Sequence, residues 1–222
     1  MRVIVKVCGN RKAADLIAAT EAGADLLGII FADAWRRVPV TTARDMVSEL
    51  RDKADNPPPV IGVFVDQPAE EVNRTGDVVG LDMVQLHGNE DETYWGQIER
   101  PIVVAKRLDQ ESSPSEAARV LSPIAEYVDS RDSLALIEPL VEGQPGGAGV
   151  SLDTELAAAL ARRFPFLLAG GLDPSNVARI IGAVRPWGVD VSSGVETERA
   201  KDYSKVGRFV NAAKRAAVSV VL

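Results

Sequence analysis

The chain holds one cysteine and one histidine, and that scarcity excludes much of what these residues usually build. A single cysteine forms no intramolecular disulfide. Cys8 and His87 stand far apart in sequence, which argues against a zinc centre of the usual kind. Aromatic residues are only 5% of the chain. No apolar run approaches the roughly 18 residues that span a bilayer. No basic tract is present either: 25 basic against 32 acidic side chains leave a net charge of −7. Such a chain is a poor partner for nucleic acid or an anionic membrane. Binding of a small anion stays open, because a few amides and one arginine make a local positive site. The N-terminus runs directly into the short apolar stretch Val3–Val7, without the long apolar core of a signal peptide. The expected location is cytoplasmic, and the expected state a monomer or homodimer.

What is present is an alternation. Hydrophobic residues are 46% of 222, enough for one large α/β domain spanning residues 1–222. The apolar runs Val3–Val7, Leu26–Phe31, Val60–Val65, Met83–Leu86, Pro101–Lys106, Leu134–Ile137, Phe166–Ala169 and Val189–Val191 read as strands. Between them, helical patterns cover Lys12–Ala22, Thr42–Lys53 with Thr41 as cap, Ala69–Thr75, Glu90–Ile98, Ser115–Leu121, Asp153–Arg162, Ser175–Val184 and Tyr203–Ala217. Residues 138–151 lack periodicity and read as a loop. Eight strand–helix units fit a (β/α)8 TIM barrel better than an open doubly wound sheet.

Two glycine-rich segments point to a ligand. Leu168-Ala169-Gly170-Gly171-Leu172 and Val189-Asp190-Val191-Ser192-Ser193-Gly194 each begin as a strand and break at glycine. Glycine allows close backbone approach, and free amides at a helix start bind anions. On this fold, a phosphate commonly sits between the seventh and eighth loops. Gly170, Gly171, Ser192, Ser193 and Gly194 are therefore the candidate phosphate-binding residues, and a phosphorylated small molecule the expected ligand.

Further segments, in order, carry a resemblance. They are Lys6-Val7-Cys8-Gly9, Glu21-Ala22-Gly23-Ala24-Asp25, Gly28–Phe31 with Arg37, and Val60–Val65. Val84-Gln85-Leu86-His87-Gly88, Gly146-Gly147-Ala148-Gly149, Gly170-Gly171-Leu172 with Asn176-Val177, and Val189–Glu196 complete the set. Together they resemble the phosphoribosylanthranilate isomerase family of tryptophan biosynthesis. That resemblance implies an Amadori rearrangement, in which a phosphorylated N-ribosyl anthranilate becomes an amino-ketose. The reaction needs an acid to open the furanose and a base to take the proton from sugar C2, and calls for no metal or redox cofactor.

The resemblance makes Cys8 the base and places the acid at Glu138, where the family carries an aspartate. The extra methylene is a departure, and a misplacement of about 1 Å can cost roughly a hundredfold in rate. Arg37 is the candidate for gripping the anthranilate carboxylate through a bidentate fork, with Arg36 its competitor in register and Trp35 a candidate to stack on the aromatic ring. His87 and Asp190 are candidate substrate ligands. Two alternatives follow from the Glu138 departure: a related sugar-phosphate isomerase with a changed substrate, or a non-catalytic phosphosugar-binding barrel. The histidine-pathway isomerase on this fold uses aspartates after strands one and five, where this chain has Cys8 and Lys106 or Arg107.

Overall fold

The computed structural model describes residues 2–129, 132–140 and 153–219. Eight parallel strands close in sequential order. They are β1 (Ile4–Val7), β2 (Leu26–Ile30), β3 (Val60–Phe64), β4 (Met83–Leu86), β5 (Ile102–Leu108), β6 (Leu134–Pro139), β7 (Leu167–Leu168) and β8 (Gly188–Val191). The seam pairs β1 with β8, in register from Ile4 opposite Gly188 to Val7 opposite Val191. The helices are α1 (Ala13–Glu21), α2 (Val40–Lys53), α3 (Ala69–Val79), α4 (Glu92–Trp95), α5 (Pro114–Asp129), α6 (Thr154–Ala161), α7 (Val177–Val184) and α8 (Tyr203–Ser219).

Strands buried on both faces read as continuous Val/Ile/Leu runs, and that is how these read. Alternation along each strand then splits the core in two. Val3, Val5, Val7, Leu27, Ile29 and Phe64 face the helices. Leu26, Ile61, Met83, Val103, Leu136 and Leu167 fill the barrel interior. The bottom of the barrel is tied by side chains just before even-numbered strands. Asp25 accepts from the Val5 amide at 2.8 Å, Asp82 from Val60 at 2.8 Å, and the Ser133 hydroxyl from Ile102 at 3.1 Å.

Several boundaries differ from the sequence reading. α2 starts at Val40 because Pro39, not Thr41, caps it; the Pro39 carbonyl already takes the Ala43 amide at 2.9 Å. α3 runs on to Val79. α4 shrinks to Glu92–Trp95, since Glu90 spends its carboxylate on the amides of Asp66 and Gly88, leaving Asp91 as the cap. α5 extends through Pro123 to Asp129. Its buried stripe, Ala117, Leu121, Ile124 and Val128, continues past the proline. Burial of two more aliphatics, about 1.5–3 kcal/mol each, offsets the bond a proline removes. β6 reaches Pro139, so Glu138 is strand and not loop. After β8 comes a 3₁₀ turn, Ser193–Val195, then an unexpected hairpin of β9 (Glu196–Thr197) and β10 (Ala200–Lys201). Its two turn residues, Glu198 and Arg199, have φ of 50° and 61°. Such turns usually take Asn or Gly, so the sequence carried no signal for it.

Candidate active site at the barrel mouth

Interior-facing positions at the C-terminal ends of the strands converge on the mouth. From β1 come Lys6 and, just past the strand, Cys8; from β4, Gln85 and then His87. Arg107 comes from β5, Glu138 from β6, and Asp190 and Ser192 from β8 and its end. The strand period of two selects them: Cys8, His87 and Ser192 each stand two residues beyond an interior polar partner.

Cys8 is 5% exposed and tied by its amide to the Val191 carbonyl at 2.8 Å. Gly28 on β2 makes room for it, since a Cβ there would stand 2.6 Å from the Cys8 Sγ and 3.1 Å from its Cα. Asn10 pins the following loop, donating to the carbonyls of Val7 and Gly28 at 2.8 and 3.0 Å. Burial pushes the Cys8 thiol up, Lys6 and Lys201 pull it down, and the net position is above the ordinary thiol value.

Glu138, with a side chain 7% exposed, is held from two sides. Its Oε1 receives the Arg107 Nε at 3.0 Å and lies 2.8 Å from the His87 Nε2. The Gln85 amide Nε2 lies 3.0 Å from the His87 Nδ1. With the amide donating there, the imidazole carries its proton on Nε2 and donates to the carboxylate. Burial pushes the Glu138 carboxyl up, but the hydrogen bonds from His87 and Arg107, with the Arg107 charge, outweigh it and hold it below the usual range.

The two arginines of the β2–α2 loop divide cleanly. Arg36 forms a fork with Glu196, at 2.9 and 2.8 Å, and lies 4.1 Å from the Trp35 ring centre. Arg37 is exposed, and its guanidinium has no side-chain partner among the described residues. Trp35 is 42% exposed and is approached by Arg11 and Arg199 as well, at 5.5 and 5.4 Å. Its ring is already engaged by cations. Lys201, buried, donates to the Ser192 carbonyl and to Glu196, both at 2.9 Å, and so braces the eighth loop from beneath.

The glycine-rich loops meet. A Cβ on Gly194 would fall 1.9 Å from the Leu172 carbonyl oxygen, so only glycine lets loops seven and eight touch. Gly170 and Gly171 have φ of 93° and 58°. The Ser192 hydroxyl is buried with no partner among the described residues. Gly9, at φ 74°, keeps its backbone beside that hydroxyl; a Cβ there would stand 2.8 Å from it. Asp190 receives the Lys6 ammonium at 2.9 Å. The stretch 146–149 and Glu142 lie outside the described residues. A groove of about 410 Å³ beside α3, lined by Asn73 and Gln97 among others, carries none of these mouth groups.

Sequence reasoning passed over Lys6, Gln85, Asn10, Glu196 and Lys201 as working parts. Lys6 and Gln85 were findable, because each is a polar residue inside an apolar strand, two before a candidate site residue. Glu196 and Lys201 depend on the hairpin, which had no signal.

A closed parallel barrel with a thiol, a carboxyl and an imidazole at its C-terminal mouth defines a (β/α)8-barrel enzyme of the acid–base class. The family described as N-(5'phosphoribosyl)anthranilate (PRA) isomerase matches residues 5–212, and the chain belongs to it. The N-(5'-phosphoribosyl)anthranilate isomerase of Roseiflexus castenholzii is 40% identical over 218 residues, covering 97% of this chain and 100% of that protein. The phosphoribosyl anthranilate isomerase of Thermotoga maritima superposes with a TM-score of 0.81 at 30% identity, over 96% of this chain and 99% of that one. A phosphoribosyl anthranilate isomerase solved with reduced 1-(o-carboxyphenylamino)-1-deoxyribulose 5-phosphate superposes with a TM-score of 0.77 at 29% identity, over 96% and 99%.

Proposed function

We propose that this chain isomerises N-(5'-phosphoribosyl)anthranilate to 1-(2-carboxyphenylamino)-1-deoxyribulose 5-phosphate in tryptophan biosynthesis, with Cys8 as base and Glu138 as acid. Glu138 gives its proton to the ring oxygen as the C1–O bond breaks, leaving an open-chain iminium. The Cys8 thiolate takes the C2 proton, and the electron pair moves to C1–C2 and onto nitrogen. The resulting enol-amine tautomerises to the amino-ketose. Proton transfer by placed groups accounts for every step.

One observation carries this reading. A buried thiol and a buried carboxyl are fixed at the same mouth by different strands, β1 and β6, in a chain of this family. Arg37, without a side-chain partner among the described residues, takes the anthranilate carboxylate, while Arg36 is spent on Glu196. Loops seven and eight hold the phosphate, a role supported by the Ser192 hydroxyl, buried without a partner among the described residues. His87 acts on Glu138 rather than directly on substrate, and Asp190 on Lys6. One barrel domain, a cytoplasmic location and a monomeric or homodimeric state belong to the same proposal.

The test is direct. Phosphoribosylanthranilate is fluorescent and its signal falls as product forms. Wild type should turn it over, and Cys8→Ser should bind it and lose nearly all turnover, a hydroxyl being a far weaker base near neutral pH. Binding without turnover by the wild type would leave a phosphosugar-binding barrel instead.

A further inference from the structure

Lys6 is a cation sealed inside the barrel, its side chain 0% exposed, where a lysine is rarely found without a task. It stands two residues before Cys8 on the same interior face of β1. Its ammonium is 2.9 Å from the Asp190 carboxylate, directly across the β1–β8 seam. Stability alone does not explain it: a buried ion pair seldom outperforms apolar residues of similar volume. The barrel interior just below is filled by such residues, Leu26, Ile61 and Leu167. We propose that Lys6 is a positioning residue for the base: its fixed charge, partly offset by Asp190, favours the Cys8 thiolate in a dry site. This rests on Cys8 being the base, but its own prediction concerns the thiol and not turnover.

Among the described residues, the charges around Cys8 are few. Lys6 acts from β1, Asp190 from β8 and Lys201 from β10. Arg36 reaches the neighbouring Gly9 from the second loop, with its charge matched by Glu196. Lys201 is likewise held by Glu196. Lys6 is therefore the cation whose one carboxylate partner among the described residues, Asp190, also acts on the thiol. Removing Asp190 should strengthen the pull of Lys6 on the thiolate, and removing both should abolish it.

Because the chain has one cysteine, thiolate absorbance and iodoacetamide labelling read Cys8 alone. The comparison is Asp190→Asn against the double variant Lys6→Met with Asp190→Asn, which differ only in the lysine charge. The thiol titration midpoint should lie about one pH unit or more higher in the double variant. The alkaline edge, above which kcat falls, should move with it, while KM changes far less. Equal midpoints in two folded variants would overturn the proposal. A second measurement needs no substitution at Lys6. In the wild type, the Lys6 ammonium nitrogen resonance should step at the pH where Cys8 titrates, and the step should vanish in Cys8→Ser. A flat resonance across the thiol titration would overturn it equally. Turnover surviving in Cys8→Ser would instead remove Cys8 as base and leave the titration result standing.

Discussion

Arg107 and Glu138 are register partners on β5 and β6, and the guanidinium Nε lies 3.0 Å from the carboxylate Oε1. The cation that orients the proposed acid also holds it ionised. Cys8 faces the opposite bias, with burial keeping its proton on. Each proposed catalytic group thus rests mostly in the protonation state it does not use.

That pairing predicts an unusual pH profile. Catalysis needs the acid protonated and the base ionised. Between a low acid value and a high base value, each pH unit gains about tenfold in thiolate and loses about tenfold in carboxylic acid. The profile of kcat/KM should therefore be flat from below the usual carboxylate range to above the usual thiol range. Arg107→Met should raise the acid edge and lift the plateau by the same factor. An unmoved edge would contradict Glu138 as the acid. A stability effect accompanies it. The depressed Glu138 contributes stability that is present above the unfolded carboxylate value and is lost as pH falls through the lower folded value. Glu138→Gln should therefore weaken the acid limb of the melting-temperature profile.

Gly194 serves loop contact before it serves any ligand. From the glycine-rich pattern alone, Gly194→Asp is expected to lose substrate and phosphate binding with little change in melting temperature. The 1.9 Å approach to Leu172 makes even Gly194→Ala destabilising, by about 1–3 kcal/mol. Thermal unfolding of that variant measures it, and a wild-type melting temperature would show that the loops part freely. Ser193→Asp is the cleaner probe of the anion site. It should weaken inhibition by inorganic phosphate with less effect on folding.

The two loop arginines should separate by phenotype. Arg37→Met should raise KM by about tenfold to a hundredfold, the worth of a charge-assisted fork, and leave the melting temperature unchanged. Arg36→Met strands the buried Glu196 beside Lys201 and should cost about 2–4 kcal/mol of stability. Steady-state kinetics with thermal melts on both variants decides it. Reversed phenotypes would exchange their roles.

Gly28→Ala tests how tightly the thiol is seated. The added methyl presses on both Sγ and Cα of Cys8. Turnover should fall by about a hundredfold, since a shift of about 1 Å suffices, while phosphate inhibition stays near normal. Full activity would show that Cys8 tolerates displacement.

The barrel was legible because its strands are continuous aliphatic runs and its helices carry buried stripes. Both signals are local. The Cys8, Glu138 and His87 positions were legible as strand ends. The coupling of His87 to Glu138 and of Lys6 to Asp190 was not, because each joins strands distant in sequence. The β9–β10 hairpin escaped for another reason: Glu198 and Arg199 adopt left-handed backbone that their residue types rarely signal.

The most direct measurement is single-turnover conversion of phosphoribosylanthranilate by wild type, Glu138→Gln and Glu138→Asp, with binding measured on each. The proposed mechanism predicts binding in all three, loss of conversion in Glu138→Gln, and partial conversion in Glu138→Asp, whose shorter side chain keeps the acid in a pocket fitted to glutamate. Equal conversion by all three would contradict Glu138 as the proton donor. A large gain in Glu138→Asp would mean that the native site is fitted to another substrate.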